Sequence, residues 1–198
     1  MATYGTIEEP IYEGLRVQAG PGLALRTDIL DRLYERLFNM VENHSRVLVI
    51  RLDLRYPPDR QYPNDNQCMQ RFMNSFTAHL RRDGIDFHYV WARERSDNAP
   101  NPHGHVLLLL DGRKTRCIEG HLGDAERLWA LALGVPGRQG LVYDCRENHR
   151  ASLLYGGTML HRNDTEAVRQ CFYWTSYLAK TSSKHPPLHV KNYGCSQL

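Results

Sequence analysis

Lysine is scarce in this 198-residue chain: of 25 basic residues, 21 are arginine and only four are lysine, at 114, 180, 184 and 191. The planar arginine fork donates two parallel hydrogen bonds and suits phosphate, although a GC-rich genome produces the same bias. Three of the four lysines fall within 180–191, a segment with no acidic residue, against a net charge of only +3. A total that small does not establish a nucleic-acid partner, but a local basic segment can matter more than the sum. Cysteines are few and unpaired in pattern: Cys68, Cys117, Cys145, Cys171 and Cys195 are odd in number, scattered and lack a CxxC. That excludes a disulfide frame and a zinc knuckle and points to reduced thiols in a cytoplasm. No apolar run approaches the roughly 18–20 residues of a membrane span, and the polar start does not read as a signal peptide. Internal repeats and low-complexity tracts are absent. With 41% hydrophobic and 24% charged residues, the composition is that of an ordinary globular domain.

What is present is a run of aliphatic residues, Val106-Leu107-Leu108-Leu109-Leu110, opened by Pro102-His103-Gly104-His105. So short a run reads as a buried strand. Side chains at i and i+2 leave a strand from the same face, about 7 Å apart, so His103 and His105 would stand side by side and could share a metal ion. Alone this is a weak signal, because chance supplies a His-x-His in roughly half of chains with ten histidines.

The rest of the chain supplies a fold for that strand. Residues 1–25, rich in Gly and Pro, read as an extended N-terminal arm, and 26–198 as one α+β domain. Within it, Thr27 or Asp28 looks like an N-cap for an amphipathic helix over 26–43. Arg46–Leu54 is a strand whose Val47, Val49, Arg51 and Asp53 face one way. Three prolines in 55–66 end it, and Cys68–Arg82 is helical until Asp83-Gly84 stops it. Ile85–Arg95 is a second strand, forming a hairpin with the His-x-His strand. A helix near Gly123–Leu133, weaker strand signals at Leu141–Tyr143 and Ser152–Tyr155, and a helix over Thr165–Lys180 complete the domain. The order β-α-β-β-α-β, then a helix, is the split βαβ pattern of a ferredoxin-like antiparallel sheet with helices packed on it.

Two constellations within that fold could carry chemistry. Glu94 ends the strand before His103, where a hairpin turns the two strand ends towards each other. Two imidazoles and a carboxylate make a credible divalent-cation site, with His88 a less convenient fourth candidate. The bland reading of Glu94 is a surface ion pair with its neighbours Arg93 and Arg95. On the last helix, at 100° per residue, Glu166, Gln170, Tyr173, Tyr177 and Lys180 gather within roughly 80°. A phenol with its pKa near 10 is a weak nucleophile at neutral pH, and a neighbouring ammonium or a metal lowers that barrier. The bland reading here is a solvated polar face.

A His pair on a ferredoxin-like strand, followed some 70 residues later by Tyr-x-x-x-Tyr-x-x-Lys, is the layout of HUH endonucleases. More closely, Trp91-Ala92-Arg93-Glu94, His103-Gly104-His105 with its aliphatic run, Leu128-Trp129, Ser176-Tyr177-Leu178-Ala179-Lys180 and Asn192-Tyr193-Gly194-Cys195-Ser196 resemble the inovirus replication-protein-like family, of the prophage YagK/YfjJ C-terminal domain type. The resemblance covers about 46–196. It implies that His103, His105 and Glu94 bind Mg2+ or Mn2+, and that Tyr177 attacks a phosphodiester of single-stranded DNA at a replication origin. Lys180 would assist the phenolate or contact the scissile phosphate, and Tyr173 would be a second nucleophile or a base-stacking neighbour. Arg93, Arg95, Lys184 and Lys191 would contact nucleic acid. The resemblance further implies rolling-circle replication of a phage, prophage or mobile element in a bacterial cytoplasm, with a host helicase or polymerase as further partner. In this family's pattern a bulky hydrophobic residue stands where Gly104 does. Two alternatives accompany this reading: a non-catalytic DNA-binding or regulatory prophage protein with the same fold, and a zinc hydrolase using the His pair.

Overall fold

The computed structural model describes residues 4–95, 101–145, 157–182, 184 and 190–198. The stretch expected to be an extended arm carries four short strands, β1 (Thr6–Ile7), β2 (Ile11–Tyr12), β3 (Leu15–Arg16) and β4 (Leu25–Arg26), with β1 paired to β4 and β2 to β3. Its Val17 and Leu25 are buried in the core and anchor the segment to the domain.

Helix α1 (Thr27–Asn43) follows, and its N-cap position is Arg26, one residue before Thr27 and two before Asp28. Both candidates are engaged elsewhere. The Thr27 hydroxyl donates to Gly5 O at 3.2 Å, and the Asp28 carboxylate accepts the Arg26 guanidinium at 2.6 Å. After it come β5 (Arg46–Leu54), α2 (Gln67–Arg82), β6 (Phe87–Glu94), β7 (His103–Asp111) and α3 (Ile118–Leu133). Gly84 and Gly134, both at positive φ, end α2 and α3 where a Cβ would be strained. Helix α3 begins five residues before the expected Gly123, because the Cys117 thiol accepts the Gly120 N–H and caps an earlier turn.

Four strands form the expected ferredoxin-like core. In sheet order, β6 pairs with β7, β7 with β5, and β5 with both β8 (Val142–Asp144) and β9 (Gly157–His161), every pair antiparallel. The fourth strand is therefore in two pieces: Leu52 pairs with Asp144 and Ile50 with Gly157, with 145–156 inserted between them. The strand signal at 152–155 lies outside the described residues. Beyond the expected four, β10 (Tyr193–Cys195) extends the edge next to β6.

Strand alternation divides the core into two layers. Leu48, Ile50, Leu108 and Leu110 pack under α2 and α3 with Phe72, Phe76 and Trp129. Val47, Val49, Leu107 and Leu109 pack under α1 and the last helix, α4 (Thr165–Thr175), with Leu33, Leu37 and Phe172. The expected helix to Lys180 changes character at Ser176, where the chain tightens into a 3-10 turn over Ser176–Ala179. Among the described residues, no helix is long and apolar enough to cross a membrane.

Candidate active site

Register sets the site. In the β6–β7 hairpin Glu94 lies directly opposite His103, and Ala92 opposite His105. Both histidines and Glu94 emerge on the α1/α4 face, as Val90, Ala92, Leu107 and Leu109 of the same strands do. Their Nε2 atoms stand 3.5 Å (His103) and 3.4 Å (His105) from Glu94 Oε2, and the three donor groups lie within 4.8 Å of one another. Donors about 2.1 Å from one ion are about 3.0–3.4 Å apart at octahedral to tetrahedral angles. The spacing and chemistry of this donor set therefore fit a divalent cation.

A residue the sequence reading did not select completes the set. Asp53 on β5 is in register opposite His105, and its carboxylate Oδ1 accepts the His105 Nδ1–H. A carboxylate behind one imidazole nitrogen fixes the ring and turns the other nitrogen to the ligand. The available signal was Asp53 itself, the one acid in β5, on the face it shares with Val47, Val49 and Arg51. Burial pulls the His105 pKa down, but the hydrogen bonds to Asp53 and Glu94 outweigh it and raise it above its ordinary value. Burial pushes the Asp53 carboxyl up, but the His105 contact holds it below its ordinary value.

Glu94 is a buried charge, 2% exposed. Lys184 Nζ donates to its Oε1 at 2.8 Å, and Lys180 Nζ lies 2.9 Å from its Oε2. Burial raises the Glu94 pKa, yet His103, His105 and Lys184 together hold it far below the usual carboxylate range. Carboxylate and ammonium stand in so dry a place only because each partners the other. Burial in turn lowers the Lys184 pKa, with Glu94 offsetting part of that fall. Since Lys180 shares Oε2 with both imidazoles, a cation there would displace its ammonium by like-charge repulsion, whereas Lys184 could stay on Oε1.

The 3-10 turn brings Tyr177 to this group: Lys180 Nζ is 3.5 Å from the Tyr177 hydroxyl and 4.5 Å from its ring centroid. Tyr173, expected on the same face, has other neighbours. Its ring lies 5.6 Å from the Arg16 guanidinium and 5.0 Å from the Trp174 ring. His88 is tied to Asn39 and Ser196, away from Glu94 along β6. Of the four residues expected to touch nucleic acid, Lys184 is the inner partner of Glu94. Arg93 is 5% exposed, with its guanidinium on Asn64. Arg95 is half-buried and Lys191 exposed.

Gly104, between the two histidines, faces the opposite layer, where a Cβ would overlap the Met69 ε-methyl of α2. The bulk expected on β7 is supplied from the helix instead.

A search of curated proteins finds no match. Among solved structures the chain is similar to the N-terminal nuclease domain of non-structural protein 1 of minute virus of mice. The two are 10% identical, with a TM-score of 0.30, over 84% of this chain and 78% of that one. That domain is described with Zn2+ in its active-site pocket and DNA recognition at an origin of replication. The YagK/YfjJ C-terminal domain model matches residues 18–196, which takes in β5 to β10, every residue of the Glu94 group and both tyrosines. By that match the chain belongs to the YagK/YfjJ C-terminal domain family.

Proposed function

We propose that this protein is a metal-dependent, tyrosine-type endonuclease that nicks and rejoins single-stranded DNA to initiate rolling-circle replication of a phage, prophage or mobile element. One observation carries the reading: Lys180 joins the Tyr177 hydroxyl, 3.5 Å away, to Glu94 Oε2, 2.9 Å away, in the group that also holds His103 and His105. A hydrolase acting through an activated water has no use for a phenol and ammonium there, so Tyr177 and Lys180 favour a phosphotyrosine route over the zinc-hydrolase alternative.

In the proposed step the Tyr177 phenol loses its proton, and its oxygen forms a bond to phosphorus as the P–O3′ bond breaks. The departing 3′ oxygen takes up a proton. One ester replaces another, leaving a 5′-phosphotyrosine and a free 3′-OH, and the reverse reaction rejoins the strand. Lys180 stabilises the developing phenolate charge and, once off Glu94, neutralises the phosphate. Glu94, His103 and His105 would hold Mg2+ or Mn2+, which when bound polarises a phosphate oxygen. Asp53 orients His105, and Lys184 orients Glu94. Arg95 and Lys191 supply contacts to the DNA backbone, whereas Arg93 and Lys184 act inside the fold.

The test is incubation with short single-stranded oligonucleotides and Mn2+, followed by a denaturing gel for a covalent adduct. The expected result is an adduct with the wild type and none with Tyr177→Phe. Full adduct formation by Tyr177→Phe would move the role to Tyr173. No adduct from the wild type across a pool of random oligonucleotides would sink the nickase reading in favour of a non-catalytic DNA-binding protein.

A further inference from the structure

The turn that carries Tyr177 is held by chain from the other end of the molecule. An α-helix leaves its last carbonyls without intrahelical partners. In α4 two of these, Tyr173 O and Trp174 O, accept hydrogen bonds from a single side-chain amide, Gln18 Nε2, at 3.2 and 3.1 Å. The Gln18 backbone N–H donates to Ser176 Oγ at 3.0 Å, and that hydroxyl donates to Tyr173 O at 2.7 Å. Ser176 is fully buried. Gln18 thus clamps the point where the α-helix tightens to 3-10 geometry.

Seven residues on, the same segment grips the far side of the turn. Leu25 forms a β-bridge with Lys180, and Thr181 N donates to Ala24 O at 3.0 Å. Between the two grips the segment closes on itself, with Gly20 and Leu23 exchanging backbone hydrogen bonds at 3.2 and 2.8 Å. Tyr177 therefore lies between two anchors of one loop, the second of them at Lys180, and neither anchor belongs to the sheet that carries the histidines.

We infer that residues 18–25 are a positioning device for the Tyr177–Lys180 turn, with Gln18 the positioning residue that sets the phenol against the Glu94 group. The inference rests on the nickase reading for its catalytic consequence, but its structural content stands apart from that reading. A side chain that only braced the fold would lower stability; a positioning residue changes the rate of the covalent step while leaving metal and DNA binding alone. Small misplacements of reacting groups cost about 10- to 100-fold in rate.

The experiment compares wild type, Gln18→Met, which keeps the bulk and removes the amide, and Ser176→Ala, which removes the hydroxyl. Each is assayed at a temperature where thermal melts show it fully folded. Single-turnover adduct formation should fall about 10-fold or more in both variants, with Mn2+ and oligonucleotide affinities within about twofold of wild type. Amide hydrogen exchange should quicken at 176–181 and stay unchanged in β5 to β7. Wild-type adduct rates in both variants, or unchanged exchange at 176–181, would overturn the proposal, as would a rate loss fully explained by weaker metal or DNA binding. If the wild type forms no adduct, the nickase reading fails, and the exchange measurement alone decides whether Gln18 holds the turn.

Discussion

His88 is a buried imidazole whose two nitrogens are both used. Nε2–H donates to Asn39 Oδ1 at 3.0 Å, and Nδ1 accepts from the Ser196 hydroxyl at 2.8 Å. That network suits the neutral ring, and burial lowers the pKa below its ordinary value of 6.5. The unfolded chain then binds a proton at higher pH than the folded one. The contribution of His88 to stability is full above the unfolded value and is lost as pH falls through the folded value. Urea unfolding at about pH 7.5 and about pH 5.5 should therefore show wild type losing more stability on acidification than His88→Gln, which cannot take up the proton. Equal losses would mean that His88 is not neutral in the fold. His105 has the opposite sign, because Asp53 and Glu94 raise its pKa; its stabilisation is present at low pH and fades as pH rises through the folded value. Two histidines on adjacent strands thus respond oppositely to acid, which only their neighbours decide.

At the scale of elements, two glycines set how closely the strands approach their neighbours. A Cβ on Gly194 of β10 would stand 2.7 Å from the Trp91 indole of β6, a rigid ring fixed in the sheet. The Cβ of an alanine at Gly104 would meet the end of the Met69 side chain, which has other rotamers to use. Gly194→Ala should accordingly cost about 2–3 kcal/mol and Gly104→Ala about 1 kcal/mol or less, by urea unfolding. An equal cost would mean that Met69 is as fixed as Trp91. The edge strand β10 is also held from α1, where Arg36 donates to Ser196 O at 2.6 and 3.1 Å. The Asn192–Ser196 motif is thereby a docking strand: Asn192 takes the Arg26 guanidinium at 2.8 Å, and Ser196 serves His88. In α4, helical periodicity cannot reveal that the helix tightens at Ser176. The change follows from hydrogen bonds to a side chain far away in sequence.

For the whole molecule, the Glu94 group ties the β6–β7 hairpin, β5 and the segment carrying Lys180 and Lys184 together. An ion that binds only the folded chain adds stability as RT ln(1 + [L]/Kd), about 2.7 kcal/mol at a hundredfold excess over Kd. For a protein of this size that is a rise in Tm of roughly 5–10 °C. Mn2+ should produce such a rise in the wild type, EDTA should reverse it, and His105→Ala should abolish it. Identical Tm values in Mn2+, Mg2+ and EDTA would remove the cation from the proposed function. Tyr177→Phe should keep the metal-dependent rise, since the phenol is not among the donors.

Strands β5 to β8, most helix boundaries, the βαββαβ order and the pairing of Glu94 with His103 were legible in the sequence, whereas β1 to β4, β9 and β10 were not. The legible features follow from local periodicity and from a hairpin whose register a short loop constrains. Tyr177 and Lys180 were also legible, as a spacing on one stretch of chain. Tertiary structure decided the rest. Asp53 became a partner of His105 only when β5 and β7 came into register. Lys184 became the inner partner of Glu94 rather than a surface cation, and Tyr173 took Arg16 and Trp174 as neighbours while Tyr177 took Lys180. The first two depend on contacts between residues 52 and 90 positions apart. Periodicity within one segment carries no information about such contacts, because burial and charge pairing arise only when distant segments exclude water together.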